Sequence, residues 1–313
     1  MCKIMKYVSL SIGALLCYAC NDALTDELFE KQVLLTKNGW IEQYIDITES
    51  EQSDLSIAVS VNGTTDNDRN INVQLKFDST NLVDYNFEKY RRDSSLYYLQ
   101  LPSSVVSFKN NGDRITVPAG DIRAISHLAL DISKLEDIYG DYVIPVTIDA
   151  VSEYKKADDY HKALYHIVLK NKFSGDYSGE LKVFKTDSRG NSITDNPIIV
   201  NTKTLYAIEK QRAYFYAAHY DRSEWERDKY IINFTMDEND NIQLDALNPD
   251  LGLVQEKAAI TYSISPDRND NRYEILAIEI ELSYMISLPL LSPQYPVRVQ
   301  GKINKSERVL KQQ

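Results

Sequence analysis

The sequence predicts an all-β protein built from two consecutive β domains. Three observations support this: apolar and polar residues alternate along many short segments, turn-forming residues separate those segments, and the chain has 313 residues. Alternation with a period of two is typical of half-buried strands, and one domain takes roughly 100 to 200 residues. The content of hydrophobic residues (43%) and charged residues (26%) is near the average for compact proteins.

The first predicted domain covers residues 38–170 and is expected to be an Ig-like β-sandwich. The alternating faces contain Leu55, Ile57, Val59 and Val61 in LSIAVSV, Ile71, Val73, Leu75 and Phe77 in INVQLKF, and Tyr142, Ile144, Val146 and Ile148 in DYVIPVTIDAV. The segment NGTTDNDRN between the first two is dense in turn formers. We therefore expect those two strands to form a hairpin with a long loop.

One short helix interrupts the strands. In STNLVDYNFEKYRR, the side chains of Val83, Phe87 and Tyr90 recur at helical spacing. Ser79 or Thr80 is the expected N-cap, because a hydroxyl there accepts a hydrogen bond from a free backbone N–H of the first turn.

The second predicted domain covers residues 171–305, and residues 306–313 are predicted to be a tail. Its last two strands, LAIEIELSY and YPVRVQGKI, alternate most clearly. Acids (Glu279, Glu281) line one of them and bases (Arg298, Lys302) line the other, and such pairs stabilise neighbouring strands by roughly 0.2 to 1 kcal/mol each. A β-sandwich and a small closed barrel both fit this pattern.

Residues 1–19 have the composition of an export signal. Lys3 and Lys6 precede an apolar run from Tyr7 to Ala19. This run is shorter than the roughly 20 apolar residues that span a bilayer. We expect it to be a removable signal peptide.

Cys20 follows the small residue Ala19 and resembles the lipidated cysteine of bacterial lipoproteins, although Cys17 and Tyr18 depart from the usual lipobox. This resemblance implies acylation of Cys20, and two or more acyl chains give stable membrane anchoring. The chain has three cysteines, and none lies beyond Cys20, so no disulfide is expected in the mature body. Residues 20–37 are predicted to be a tether in which LFEKQVLL could form a helical turn or a strand.

Several segments resemble Bacteroidetes lipoproteins. NGWIEQYIDITESEQSDLSIAVSVNG, ITVPAGDIRA and YGDYVIPVTIDAVS are similar to domain of unknown function 1735, and the chain after NKFSGDYSG is similar to domain of unknown function 4361. The resemblance implies an Ig-like sandwich, a second β-rich domain and a place among envelope proteins that capture and import complex glycans. It brings no catalytic residues. The acids after Cys20 resemble the signal that sends some of these lipoproteins to the outer face of the outer membrane.

The segment YFYAAHYDRSEWERDKY, residues 214–230, holds the densest group of aromatic residues. Sugar rings stack on aromatic faces while their hydroxyls bond to charged groups. The candidate glycan-binding residues are Tyr216, Tyr220, Glu224, Trp225 and Arg227. The alternative is that Tyr216 belongs to a sheet and that Trp225 folds back onto its own domain.

The other tryptophan, Trp40, is expected to be buried, because its isoleucine neighbours look like core. The clusters DNDRN, DENDN and DRNDN fail the EF-hand pattern, so we interpret them as turns. The four histidines show no close ligand spacing. No metal or cofactor is expected.

The formal net charge of −11 disfavours binding to nucleic acid. The leading hypothesis is a non-catalytic cell-surface lipoprotein that binds a polysaccharide or a glycoprotein glycan for an outer-membrane transporter. A structural adhesin or assembly protein that uses strand-edge contacts is the alternative. A glycan-active enzyme with a hidden carboxylate pair is a third hypothesis.

Overall fold

The structure, a computed structural model, describes residues 27–311. The predicted signal peptide and the lipidation site Cys20 lie outside the described residues. Three sheets of five, six and eight strands account for the fold of the described part. The predicted all-β, two-domain class is confirmed. No helix within residues 27–311 is both long and apolar enough to cross a membrane.

The first two sheets pack into a sandwich. Its strands are β1 (Gln32–Leu35), β2 (Gly39–Asp46), β3 (Gln52–Asn62), β4 (Ile71–Phe77), β5 (Leu99–Gln100), β6 (Val106–Phe108), β7 (Arg114–Val117), β8 (Arg123–Asp131), β9 (Tyr142–Val151), β10 (Lys155–Lys156) and β11 (Lys162–Lys170). One sheet has the order β10-β1-β3-β8-β6, and the other has the order β2-β11-β9-β4-β7 with β5 beside β9. The apolar faces predicted for β3 and β4 are buried between the sheets.

The predicted hairpin between β3 and β4 is wrong. These strands belong to opposite sheets: β3 pairs with β1 and β8, whereas β4 pairs with β7 and β9. Residues 63–70 therefore cross from one sheet to the other. Alternation shows that a strand buries one face, but that face can be covered across a sandwich as well as it can in a hairpin.

The predicted helix is present as α1 (Ser79–Tyr90). Its N-cap is Asp78, whose carboxylate accepts a hydrogen bond from the backbone N–H of Thr80 at 3.1 Å. The prediction of Ser79 or Thr80 as the cap was therefore wrong by one or two positions. Aspartate serves this role as well as the hydroxyl residues do.

The apolar spacing that predicted α1 does not mark its buried side. Val83 and Phe87 are exposed, whereas Leu82 and Asn86 are buried. The amide of Asn86 donates to the carbonyl oxygen of Tyr98 at 2.9 Å and accepts from its N–H at 3.0 Å. A polar side chain thus faces inward because backbone groups inside satisfy it.

The third sheet is an eight-stranded antiparallel meander. Its strands are β12 (Gly175–Lys185), β13 (Ile198–Glu209), β14 (Arg212–Tyr216), β15 (Ile231–Met236), β16 (Ile242–Ala246), β17 (Val254–Pro266), β18 (Tyr273–Ile286) and β19 (Val297–Leu310). Two short 3₁₀ turns, Arg227–Tyr230 and Pro249–Leu251, lie between strands of this sheet. The short 3₁₀ turns Ser94–Leu96, Lys109–Asn111 and Ile132–Lys134 belong to the sandwich. The first strand of the meander, β12, pairs with the last, β19. The sheet therefore curls into a nearly closed barrel.

The seam of the barrel lies between β16 and β17. Here the amide of Gln255 replaces part of a strand ladder: it accepts from the N–H of Leu244 at 2.7 Å and donates to the carbonyl of Ile242 at 2.9 Å. Of the two architectures that the sequence allowed, the second domain thus takes the barrel form.

The interior of the barrel is filled with apolar side chains. The alternating face predicted for LAIEIELSY is buried here from Ile278 to Tyr284. The expected cross-strand ion pair forms between Lys302 and Glu279 at 2.6 Å. Arg298 instead reaches Glu256 of β17 at 2.7 Å.

The predicted tether and tail both contain strands. β1 begins at Gln32, inside the predicted tether, and β19 continues to Leu310, inside the predicted tail. Both segments pair with neighbours, β1 with β3 and β19 with β18, and these ladders satisfy their backbone groups. The sandwich ends with β11 at Lys170, and the barrel begins with β12 at Gly175.

Candidate functional site

Four of the five candidate glycan-binding residues lie on residues 217–230, the connection between β14 and β15, which we call the 217–230 loop. Trp225 is 73% exposed and stacks on no other ring within residues 27–311. The alternative that Trp225 folds back onto its domain is therefore wrong. Glu224 precedes it and is half-buried. The loop thus presents an open indole beside a carboxylate.

Tyr216 does not belong to this exposed surface. It ends β14, is 3% exposed and packs with Ile208, Tyr214 and Ile231. Burial raises the pKa of its phenol to about 12. Its assignment as a glycan contact was wrong, and the alternative prediction of a sheet residue is confirmed.

Tyr220 lies in a stack of three rings at the base of the loop. Its ring centroid is 3.6 Å from that of Tyr230, with the planes 12° apart, and 4.5 Å from that of His219. Burial raises the pKa of Tyr220 to about 12. The stack fixes the position of Tyr220 and leaves the ring half-buried.

A buried lysine organises the start of the loop. The ammonium of Lys203, on β13, donates to the carbonyl oxygens of Tyr216 at 2.7 Å, Ala218 at 2.8 Å and Tyr220 at 3.1 Å. Burial lowers the pKa of Lys203 to about 8. One side chain therefore satisfies three carbonyls, and the backbone from 216 to 220 is held in place.

Two arginines anchor the loop to the sandwich. Arg222 forms an ion pair with Asp141, which precedes β9, and Arg227 lies 3.9 Å from the same carboxylate. Arg227 also donates to the carbonyl oxygen of Arg222 at 3.0 Å. Burial, and then the neighbouring Arg227, lowers the pKa of Arg222 to about 10. Arg227 therefore positions the loop, and its assignment as a free glycan contact needs correction.

Asp141 has a third partner. The Nε2 atom of His166, on β11, lies 3.0 Å from Oδ1 of Asp141. Burial lowers the pKa of His166, which favours the neutral imidazole. In that state Nε2–H donates to Oδ1 of Asp141, the carboxylate that also contacts the two arginines.

Trp40 differs from Trp225 because other aromatic side chains already stack on its ring. Tyr85 stacks on it at 4.6 Å with the planes 8° apart, and His166 stacks on it at 5.1 Å. Tyr98 lies 4.7 Å away, and the Lys89 ammonium lies 5.3 Å from the indole. Trp40 is half-buried in this aromatic cluster outside the main core, and it is not a free stacking platform.

The 217–230 loop borders two cavities. One, of about 290 Å³, lies between the domains and is lined by Glu42, Asp141 and His166 on one side and by Tyr206 and Arg222 on the other. The second, of about 270 Å³, is lined by Thr202, Tyr206, His219, Tyr220 and Asp221. Both volumes fall just below the roughly 300 Å³ at which pockets for drug-sized ligands begin. Each cavity can take a group of about one ring.

Several of these residues could not be found from the sequence. Lys203, Asp141, His166 and Arg222 belong to four separate segments that only the tertiary fold brings together. No motif spacing links them.

Within the described residues, no group of three or more His, Cys, Asp or Glu could hold a metal ion. The DENDN segment forms the β15–β16 turn, in which Asp237 accepts from the N–H groups of Asn239 and Asn241, each at 2.8 Å. This confirms the interpretation of that segment as a turn.

Family comparisons divide the chain in two. Residues 24–152 match the family model for domain of unknown function 4973. Residues 161–304 match a second family model, which is described as a C-terminal domain. The first match differs from the predicted domain of unknown function 1735. No curated protein is significantly similar in sequence to this chain.

Several solved structures share the fold. A Bacteroides ovatus protein of unknown function has a TM-score of 0.76 and 19% identity, with 90% of this chain and 96% of that chain covered. A multidomain protein from the same organism that includes domain of unknown function 1735 has a TM-score of 0.75, 18% identity and the same coverage. An auxiliary nutrient binding protein from Bacteroides thetaiotaomicron has a TM-score of 0.74 and 21% identity over 87% of this chain and 92% of that chain. At these identities, the likeness shows that the fold is shared.

Proposed function

We propose that this protein is a non-catalytic, lipid-anchored protein of the outer membrane, facing the exterior, that binds a complex glycan for uptake. The ligand is a polysaccharide or a glycoprotein glycan, and an outer-membrane transporter complex is the partner that receives it. The proposal includes acylation of Cys20 and membership of the two domains in the families of unknown function 1735 and 4361.

One observation carries the binding part of the proposal. Trp225 exposes an open indole face on a loop that buried charges hold in place through Lys203, Arg222 and Asp141. A pre-ordered platform binds more tightly than a mobile one, because less conformational entropy is lost on binding. Sugar rings present C–H faces to such a platform, and Glu224 accepts hydrogen bonds from hydroxyls beside it.

The nutrient-uptake context is supported by the solved structure described as an auxiliary nutrient binding protein. Its fold is shared over most of both chains. A role in nutrient capture is consistent with an exposed indole on a loop whose residues 219–222 line two cavities of single-ring size.

A glycan array tests the binding. The probe is the chain from Asn21 onward, which keeps every described residue. We expect it to bind at least one class of polysaccharide or N- or O-linked glycan, and Trp225→Ala to lower that affinity at least about tenfold, or about 1.4 kcal/mol. Tyr160→Ala, at an exposed aromatic residue of the sandwich, is the matched control and should bind like the wild type. If the protein binds no class of glycan on the array, or if Trp225→Ala binds with unchanged affinity, the proposal is contradicted.

A separate experiment tests the anchor. The full chain, expressed in a Bacteroides host, should partition into detergent and incorporate labelled fatty acid, whereas Cys20→Ser should do neither. Cys17→Ser is the matched control and should still be acylated. Detergent partitioning by Cys20→Ser at the normal mature size would remove lipidation from the account without affecting the glycan site.

A further inference from the structure

Strand β17 forms an edge of the barrel sheet. It pairs with β18 from Val254 to Pro266. On its other side, β16 reaches only the start of β17, through the side chain of Gln255. Within residues 27–311, no strand pairs with the outer side of residues 258–265.

This edge lacks the usual protection. Natural edge strands are commonly short or charged, which prevents pairing with other chains. Among the described strands, β6, β7 and β10 have 3, 4 and 2 residues, and β2 carries Glu42 and Asp46. The segment AAITYSIS, residues 258–265, has no charge and no proline. It also contains the β-branched and aromatic residues that favour strand pairing.

The hydrogen bonds show which backbone groups are open. The N–H of Asp267 donates to the carbonyl oxygen of Tyr273 at the closed end of the β17–β18 hairpin. In an antiparallel ladder, alternate residues bond to the same neighbour. The odd-numbered residues from 259 to 265 therefore bond to β18, and the even-numbered ones point outward. Pro266 falls in the outward set, where its missing N–H leaves the β17–β18 ladder intact and ends the row of open donors.

We propose that β17 pairs antiparallel with β17 of a second copy of this chain, so that two barrels share one continuous sheet. Two identical antiparallel strands related by a two-fold axis are self-complementary. The register that we propose places Tyr262 opposite Tyr262 of the second copy. It also places Ile264, which is 64% exposed, opposite Ile260 of the second copy and so covers an apolar side chain.

Apolar residues favour this register. The charged residues beside the segment do not select it, because each already has a partner in its own chain: Lys257 pairs with Glu281 at 2.7 Å, Glu256 with Arg298 at 2.7 Å and Asp267 with Arg308 at 2.6 Å. A shift of two residues in one direction places Ile264 opposite Ala258, and a shift in the other direction places it opposite Tyr262. The proposed register is the one of the three that pairs Ile264 with Ile260.

Disulfide trapping tests the pairing and its register together. Thr261 and Ser263 are exposed, and in the proposed dimer they face each other in a non-hydrogen-bonded pair with Cα atoms about 4.5 Å apart. That separation lies within the roughly 4.4–6.8 Å of natural disulfides. The chain from Asn21 onward has no other cysteine, so any disulfide that forms must involve the introduced residues.

Thr261→Cys and Ser263→Cys proteins are oxidised separately and as an equal mixture. Each alone places its cysteines on a diagonal of about 7–8 Å and should stay largely uncrosslinked. The mixture should give a disulfide-linked dimer that dithiothreitol reverses. Equal crosslinking in all three samples would overturn the register, and no crosslinking in any of them would overturn the pairing.

Analytical ultracentrifugation over a dilution series tests the dimer without cysteines. The wild-type chain from Asn21 onward should show a concentration-dependent dimer, and Ile264→Lys should weaken it at least tenfold. Leu290→Lys, at an exposed leucine outside β17, is the matched control and should leave the dimer intact. A wild type that is monomeric at every concentration would overturn the proposal. None of these outcomes depends on glycan binding, because Trp225→Ala should dimerise like the wild type.

Discussion

Asp141 of the sandwich and Arg222 of the 217–230 loop form an ion pair at the junction of the two domains, and the Asp141 side chain is 4% exposed. Arg227 and His166 lie on the same carboxylate. A buried carboxylate with three cationic or donor partners is costly to remove, because each partner would then lack its acceptor. This contact links the position of the candidate glycan platform to the neighbouring domain.

We predict that Asp141→Asn lowers the free energy of unfolding by on the order of 3 kcal/mol, since it leaves two arginines without a counter-charge. Chemical denaturation at neutral pH measures the loss, and hydrogen exchange should show faster exchange in the 217–230 loop. Glu136→Gln removes an exposed carboxylate nearby and is the control, with an expected change within about 0.5 kcal/mol. If Asp141→Asn unfolds like the wild type and its loop exchanges normally, this ion-pair cluster does not hold the loop.

Lys203 gives a prediction about pH. Burial lowers its pKa from 10.5 to about 8. Between those pH values the unfolded chain keeps the proton that the folded chain has released. The contribution of Lys203 to the free energy of unfolding therefore rises from about pH 8 to about pH 10.5, and below pH 8 the full cost of burying the charge remains.

Lys203→Met removes this titration, so the difference in unfolding free energy between wild type and variant should increase by about 2 kcal/mol between pH 7.5 and pH 9.5. Denaturant titrations of both proteins at the two pH values measure the increase, and subtraction cancels the groups that they share. Lys182→Met, at a lysine of β12 whose side chain is 42% exposed, is the control. A difference that is constant with pH would show that Lys203 does not titrate in this range.

The alternating strands were predictable because their signal is local. Ile57 and Ile278 are buried at their expected positions, since a strand with one covered face must place every second side chain inward. The partner of each strand was not predictable by the same means. β3 and β4 are adjacent along the chain and lie in opposite sheets, because alternation identifies the buried face without identifying what covers it.

The candidate site was predictable only in part. Trp225 was identified because a large aromatic residue among charged neighbours is locally visible in the sequence. Arg227 lies in the same aromatic and charged segment, yet its guanidinium group lies 3.9 Å from the Asp141 carboxylate of the other domain. Its role depends on a residue far away in the sequence, and no local pattern encodes that contact.

Glu27 lies against the β3–β4 connection and bonds to its backbone. Its carboxylate accepts from the hydroxyl of Thr65 at 2.6 Å and from the N–H groups of Thr64 and Thr65. The Thr65 hydroxyl, and then the Thr64 N–H, lower the pKa of Glu27 from 4.5 to about 2. The stabilisation is therefore complete above about pH 4.5 and is lost as the pH falls toward 2.

We expect the Glu27 carboxyl to titrate near pH 2 in an NMR experiment and Glu27→Gln to speed hydrogen exchange at Thr64 and Thr65 at neutral pH. Glu30→Gln, at another exposed glutamate of the same segment, should leave both amides protected. A titration midpoint near pH 4.5 for Glu27, or unchanged hydrogen exchange at Thr64 and Thr65 in Glu27→Gln, would show that these hydrogen bonds do not form in solution.

The most direct test of the glycan platform uses fluorescence. Trp40 and Trp225 are the two tryptophans of the chain, so Trp40→Phe leaves Trp225 as the one indole that reports on its surroundings. Adding the glycan that binds best on the array should shift the emission to shorter wavelength and saturate at the affinity measured by calorimetry, because a stacked sugar displaces water from the ring. Calorimetric binding of the same glycan with unchanged Trp225 emission would contradict the account.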